Sequence, residues 1–246
     1  MRYKCIVSYD GTLFDGYQIQ KDKRTIQNEI QIALKKLYQT EIKITSSGRT
    51  DKGVHALGQV FSYSADKEID CYKIKKALNT YLPKDISVVS VETINDDFHP
   101  RGNAKSKEYL YKLNIGTFNP IERNYVYQHG YNLDIKKLRK AAKLFEGTHN
   151  FKNFCTNDEE EKKTFVRTIE KIKVIQDGDI ISLTFIGTGF LRYMVRMIIG
   201  TLIAYNDGKI DLDNIKFSLD ERCPNRTIYK VPSEGLYLMK VTYPQR

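Results

Sequence analysis

Residues 164–187 read TFVRTIEKIKVIQDGDIISLTFIG. On either side of Asp177-Gly178, apolar and polar residues alternate with the period of two that marks a half-buried strand. Asp-Gly between two such runs is a strong hairpin signal. The chain continues as FLRYMVRMIIGTLIAY over 190–205, apolar nearly all round, which predicts a central helix. An antiparallel pair running into a buried helix belongs to an α+β fold and not to a doubly wound parallel sheet.

The flanking sequence keeps this rhythm. In residues 2–9, Tyr3, Cys5, Val7 and Tyr9 alternate with Arg2, Lys4, Ile6 and Ser8, predicting a strand. Thr25 stands where it can cap a helix with Ile26, Ile30, Leu34 and Leu37 on one face. Strands are expected at 41–47, 58–64 and 86–93, and a helix over 70–82 ends before Pro83. In the second half, 106–115 reads as a strand, and Asp134 caps a helix that runs to Phe145 and is closed by Gly147. A short helix near 211–219 and a strand over 236–243 complete the pattern. The rhythm repeats between halves, which points weakly to duplication. The expected organisation is an N-terminal α+β half, 1–103, and a C-terminal α+β half, 104–246.

Composition limits the function classes. The 246 residues carry 40 Lys and Arg against 30 Asp and Glu, a net charge of +10. Residues 1–123 hold 20 basic and 15 acidic side chains, as do 124–246, so the excess is no basic tail. Such a balance fits a nucleic-acid partner, an acidic membrane surface, or a Lys-rich proteome. With 17 Tyr and 11 Phe the chain has the aromatic content of a packed core. Cys5, Cys71, Cys155 and Cys223 form no CxxC pair, and a reducing compartment suits them. The N-terminal MRYKCIVSYD holds no apolar run of secretory length, and Met197–Asn206 is far short of the roughly 20 apolar residues that span a bilayer. A cytoplasmic protein with no membrane and no metal site is expected. The charge run Asp158–Glu161, followed by Lys162 and Lys163, reads as a solvated loop.

The densest polar segment is Ser46-Ser47-Gly48-Arg49-Thr50-Asp51-Lys52-Gly53-Val54-His55-Ala56, between two expected strands. It sets one carboxylate, Asp51, among the cations Arg49 and Lys52, which favour its ionised form. A structural turn with a capping Asp accounts for the same spacing. His55 reads as a hydrogen-bonded structural residue more readily than as a base. A glycosidase needs a second carboxylate, and Asp10 or Asp15 would have to supply it. Gly187-Thr188-Gly189 precedes a helix without a GxGxxG pattern, so nucleotide binding there is not expected. Arg192 and Arg196 share one face of an apolar helix. They either reach solvent along their alkyl stems or serve a site. Phe98-His99-Pro100-Arg101 and Lys105-Ser106-Lys107-Glu108-Tyr109 mix cations with aromatic rings, as suits phosphates and bases, though an ordinary amphipathic strand has the same composition.

Six blocks together resemble the TruA family of tRNA pseudouridine synthases: Tyr9–Gln18, Gly48–Ala56, Phe98–Arg101 with Lys107–Tyr111, Glu146–Phe151, Phe190–Leu202, and Gly235–Leu238 with Tyr243-Pro244. The resemblance implies two similar α+β halves joined into one extended antiparallel sheet with a central active-site cleft. It implies isomerisation of uridine to pseudouridine in the anticodon stem-loop (family positions 38, 39 and 40), tRNA as partner, a homodimer and no cofactor. By matching position, Asp51 is the nucleophile, Arg196 pairs with it, and Arg49 contacts phosphate or the site. Tyr109 stacks on the target base, Arg101 fills the space left by the flipped uridine, and Leu238 packs near that base. Phe98, His99, Lys105 and Lys107 are the expected RNA contacts. Tyr17 stands where the family usually has Trp, and Lys107 where it has Arg. Segments 154–165 and 222–233 depart most, leaving a paralogue of shifted specificity as an alternative. A catalytically idle tRNA-binding protein or RNA chaperone is the alternative from another class.

Overall fold

The computed structural model describes residues 1–156, 164–220 and 222–244. They divide into two compact units: Met1–Lys105 with Tyr237–Arg246, and Ser106–Leu236. The charge run Asp158–Glu161, with Lys162 and Lys163, lies outside the described residues.

The first unit is built on strand β1 (Arg2–Tyr9), whose side chains alternate strictly between half-exposed and buried. That alternation puts Tyr3, Cys5 and Val7 into the core. β1 lies between β3 (His55–Ser64) and β4 (Ile86–Ile94), antiparallel to both, with Cys5 opposite Phe61 and Val91. Helix α1 (Ile26–Tyr38) buries Ile26, Ile30 and Leu34 of the expected face together with Ala33, and Leu37 is half-exposed. Thr25 holds the N-cap position, but its hydroxyl makes no capping bond and is buried. Helix α2 (Cys71–Tyr81) is capped by the Asp70 carboxylate, which accepts from the Tyr72 and Lys73 amides, and it packs against α1 and β4.

Two expectations change here. The strand expected at 41–47 shrinks to β2 (Thr45–Ser46). β1 occupies one edge of β3; β10 (Leu236–Thr242) pairs β3 at His55 and Ala56, and β2 pairs it at Ser62 and Phe61. The β3/β10 pair is also parallel, against the expected antiparallel arrangement.

In the second unit the hairpin is present as β8 (Val166–Asp177) and β9 (Ile180–Gly187), with Asp177 opposite Ile180. Gly178 carries φ +55° at the first central position of the turn, where only glycine is free of steric cost. β5 (Ser106–Asn114) pairs β9 antiparallel, and the two-residue β6 (Tyr127–Gln128) pairs β5 in parallel. β7 (Gly147–Asn150) extends the far edge beside β8. The helix capped by Asp134 is α3 (Ile135–Ala142), which tightens into a 3₁₀ turn over Lys143–Phe145.

The apolar helix is α4 (Met194–Asn206), buried from Met194 through Ala204 except at Arg196. It starts four residues later than its composition predicts. Tyr193 at its N-cap is in the left-handed conformation, which ends any helix running back to Phe190. A last helix, α5 (Leu212–Ser218), begins with a capping box between Asp211 and Asn214.

Candidate active site

The polar loop of the first unit is pinned along its length. The Ser47 amide donates to the Val60 carbonyl at 2.8 Å, the Gln59 side-chain amide to Gly48 O at 3.1 Å, and the Tyr17 amide to Thr50 O at 3.0 Å. The Thr50 and Tyr9 hydroxyls are 2.8 Å apart. Burial pushes the Tyr9 phenol up to about 12, the bonds to Thr50 and Gln59 opposing the shift in part. It stays a neutral hydrogen-bonding group at physiological pH. The Val54 amide closes the turn on Asp51 O at 3.2 Å. Asp51 is thereby presented half-buried at the bend of a rigid loop.

Residues 10–17 form the other wall. A Cβ on Gly11 would stand 2.1 Å from Val54 O, so the two loops approach at a distance that only glycine allows. The Gly11 amide donates to His55 Nδ1 at 3.1 Å. Asp10 Oδ1 lies 3.2 Å from the same Nδ1. His55 is 2% exposed and stacks on Tyr237 at 4.8 Å. These are the surroundings expected of a structural residue.

The two carboxylates considered as a second acid are committed elsewhere. Asp10 Oδ1 accepts from the Thr12 amide and hydroxyl. Asp15 accepts from Lys52 Nζ at 2.8 Å, a bond that holds its carboxyl below the ordinary value. The Lys52 ammonium is thus directed to Asp15. Arg49 is exposed.

Further along this unit, His99 Nδ1 accepts from the Arg101 and Gly102 amides, and the Asn103 side chain accepts from the His99 amide at 2.6 Å. His99 is spent on the turn that presents Arg101 to solvent. Phe98 packs on Tyr243 at 5.1 Å, with the Lys4 ammonium 4.7 Å from the Tyr243 ring. Lys105 is exposed, while its amide donates to Thr242 O. Leu238 is 1% exposed on β10, beside Ala56.

In the second unit, Tyr109 stands on β5 opposite Phe185 and meets Phe190 edge-to-face at 5.1 Å. Lys107 is half-buried on the same strand. Gly187 leaves room for Phe190 and for the Thr168 carbonyl, which a Cβ would meet at 3.2 Å and 2.5 Å. The Gly-Thr-Gly stretch is a close approach of chains. Arg196 is half-buried, and its Nε donates to Val231 O at 2.9 Å. The Val231 amide returns a bond to Arg196 O at 3.2 Å. This makes the 222–233 segment part of the arginine's support. Sequence reasoning missed Val231, Gly11 and Tyr193. A glycine just after a strand, and one inside an apolar helix, were the available signals.

Among the described residues no group of three His, Cys, Asp or Glu is placed to hold a metal ion. No helix among them is long and apolar enough to cross a membrane.

A family model described as tRNA pseudouridine synthase matches residues 5–101 and 141–244. The chain belongs to that family. A relative from Bacillus cereus, tRNA pseudouridine synthase A 1, is 43% identical over 244 residues, covering 98% of each chain. A tRNA pseudouridine synthase A from Listeria monocytogenes is 42% identical, covering 98% of this chain and 99% of its own. One from Geobacillus kaustophilus is 40% identical, covering 98% and 94%. Both matched segments contain residues expected at the site: Asp51, Phe98, His99 and Arg101 lie in the first, Arg196 and Leu238 in the second.

Proposed function

We propose that this synthase isomerises uridines of the tRNA anticodon arm, at positions 38, 39 and 40, with Asp51 as the nucleophile. The observation that carries the reading is the family match over 5–101 and 141–244, joined to the presentation of Asp51 on a loop tied down on both sides. A preorganised loop keeps its side chain within the small tolerance that nucleophilic chemistry needs.

The reaction balances without an oxidant. The N1–C1′ bond breaks, the uracil turns, and C5 bonds to C1′. C5 loses a proton and N1 gains one. Asp51 must be ionised to attack. Arg196 takes the role the resemblance gives it, the cation that keeps the nucleophile charged. Its guanidinium is steadied by the Val231 carbonyl, as a half-buried charge requires. Tyr109 offers a ring already packed by Phe190, suited to stacking on a base. Arg101, held outward by the His99 turn, fills the space left by the extruded nucleotide. Leu238 lines the base pocket. Arg49, Lys105 and Lys107 contact phosphate, and Phe98 and His99 support them. A cytoplasmic homodimer belongs to the same proposal.

The test is mapping at nucleotide resolution. An unmodified tRNA transcript is incubated with the protein and its pseudouridines are located. Product at anticodon-arm uridines is expected; product only elsewhere in the tRNA contradicts the site assignment.

A further inference from the structure

Three described non-glycine residues have positive φ: Asp22, Gln39 and Tyr193. Asp22 lies in a loop and Gln39 is the C-cap of α1, both ordinary settings for a left-handed residue. Tyr193 is different. It precedes α4 with φ +63°, a strained backbone for a bulky aromatic residue.

Its ring is surrounded by cations. Lys230 Nζ lies 4.6 Å from the ring centroid, Arg192 Cζ 5.0 Å and Arg196 Cζ 5.3 Å. Arg192 Nη2 also donates to the Tyr193 hydroxyl at 3.3 Å. The face of an aromatic ring carries negative potential, so one ring can hold like charges near one another. Arg196 is bound through Nε to Val231 O, which fixes one edge of its guanidinium. The ring offers a second surface against the same group. A strained backbone kept in place by such contacts is the kind found where geometry serves a site.

We propose that Tyr193 is a positioning residue for Arg196 in pseudouridine formation, its left-handed backbone serving to bring the ring against the guanidinium. This rests on the reading of Arg196 as part of the catalytic machinery. The proposal separates backbone from ring. Tyr193→Gly relieves the φ and removes the ring; Tyr193→Leu keeps the strain and removes the ring; Tyr193→Phe keeps both.

The experiment measures the single-turnover rate on saturating unmodified tRNA, the tRNA Kd and the Tm for these variants and for Arg196→Ala. Tyr193→Leu and Tyr193→Gly are expected to lose about tenfold or more in rate, with Kd within about threefold of wild type, because a group that acts on the transition state lowers rate more than binding. Tyr193→Gly is expected to keep or raise the Tm, so its loss cannot come from unfolding. Tyr193→Phe is expected to restore the rate that Leu loses. Rates within about threefold of wild type for both Leu and Gly, or a Kd that weakens as much as the rate, would overturn the proposal. A wild-type rate in Arg196→Ala would overturn the underlying reading of Arg196, which is a separate result.

Discussion

Gly200 sits one turn beyond Arg196 on α4, and the segment 229–231 lies against it. A Cβ at Gly200 would stand 2.6 Å from Lys230 N, 2.7 Å from Tyr229 C and 2.9 Å from Lys230 Cα. All three are backbone atoms, so no side chain can rotate away. Reaching ordinary contact at 3.4 Å requires the segment to move by 3.4 − 2.6, or 0.8 Å. Val231 is the next residue, and its carbonyl accepts from Arg196 Nε at 2.9 Å. A shift of 0.8 Å along that bond stretches it to 3.7 Å, beyond hydrogen-bond range. A hydrogen bond to a charged group is worth about 1.5–3 kcal/mol, and each 1.36 kcal/mol is about tenfold in rate. Gly200→Ala is therefore predicted to cost roughly 10- to 100-fold in single-turnover rate. Stability falls as well, through the same lost bond and through overpacking. Overpacking costs about 1–3 kcal/mol, and Ala in place of Gly returns about 1 kcal/mol of helix propensity. Thermal unfolding and C5-tritium release on the same preparation separate the two. A Gly200→Ala enzyme within about threefold of the wild-type rate would refute the reasoning, and so would a loss matching only its unfolded fraction.

The same geometry makes Gly11→Ala more severe. A Cβ 2.1 Å from Val54 O must displace the Asp51 loop, so turnover should vanish while far-UV circular dichroism keeps the folded signal. Arg101→Ala should lower turnover much more than tRNA affinity, since the side chain replaces a flipped base; equal losses would remove that role. The Asp15 carboxyl is held low by Lys52, so its stabilisation is fully present above the unfolded-state value of about 3.9 and is lost as pH falls through the lower folded value. The Tm gap between wild type and Asp15→Asn should thus be constant near neutrality and close only in acid; a gap that changes between pH 6 and 8 would contradict the assignment.

Local period and turn chemistry carried most of the fold. β1, β5 and the β8/β9 hairpin are legible from alternating apolar residues, and α2 because Pro83 stops it. What escaped depends on distant chain. β2 has the composition of a longer strand but pairs β3 at only two residues, and β10 joins β3 from nearly 200 residues away. The start of α4 is set by one backbone angle at Tyr193 that no propensity reveals. Asp51 was visible as a carboxylate in a dense polar loop, but its role came from the family resemblance and not from spacing. The pairing of Lys52 with Asp15, and the use of His99 to hold its own turn, require coordinates.

The central claim is a carbon–carbon glycosidic bond made through Asp51, and the loss of hydrogen from uracil C5 reports it directly. Unmodified tRNA labelled with tritium at C5 of uracil is incubated with wild type and with Asp51→Ala, and released tritium, free uracil and tRNA binding are measured together. Release by wild type with none from Asp51→Ala, both binding tRNA alike, is the predicted result. Release undiminished in Asp51→Ala, free uracil in place of pseudouridine, or tight binding with no release from wild type would contradict it.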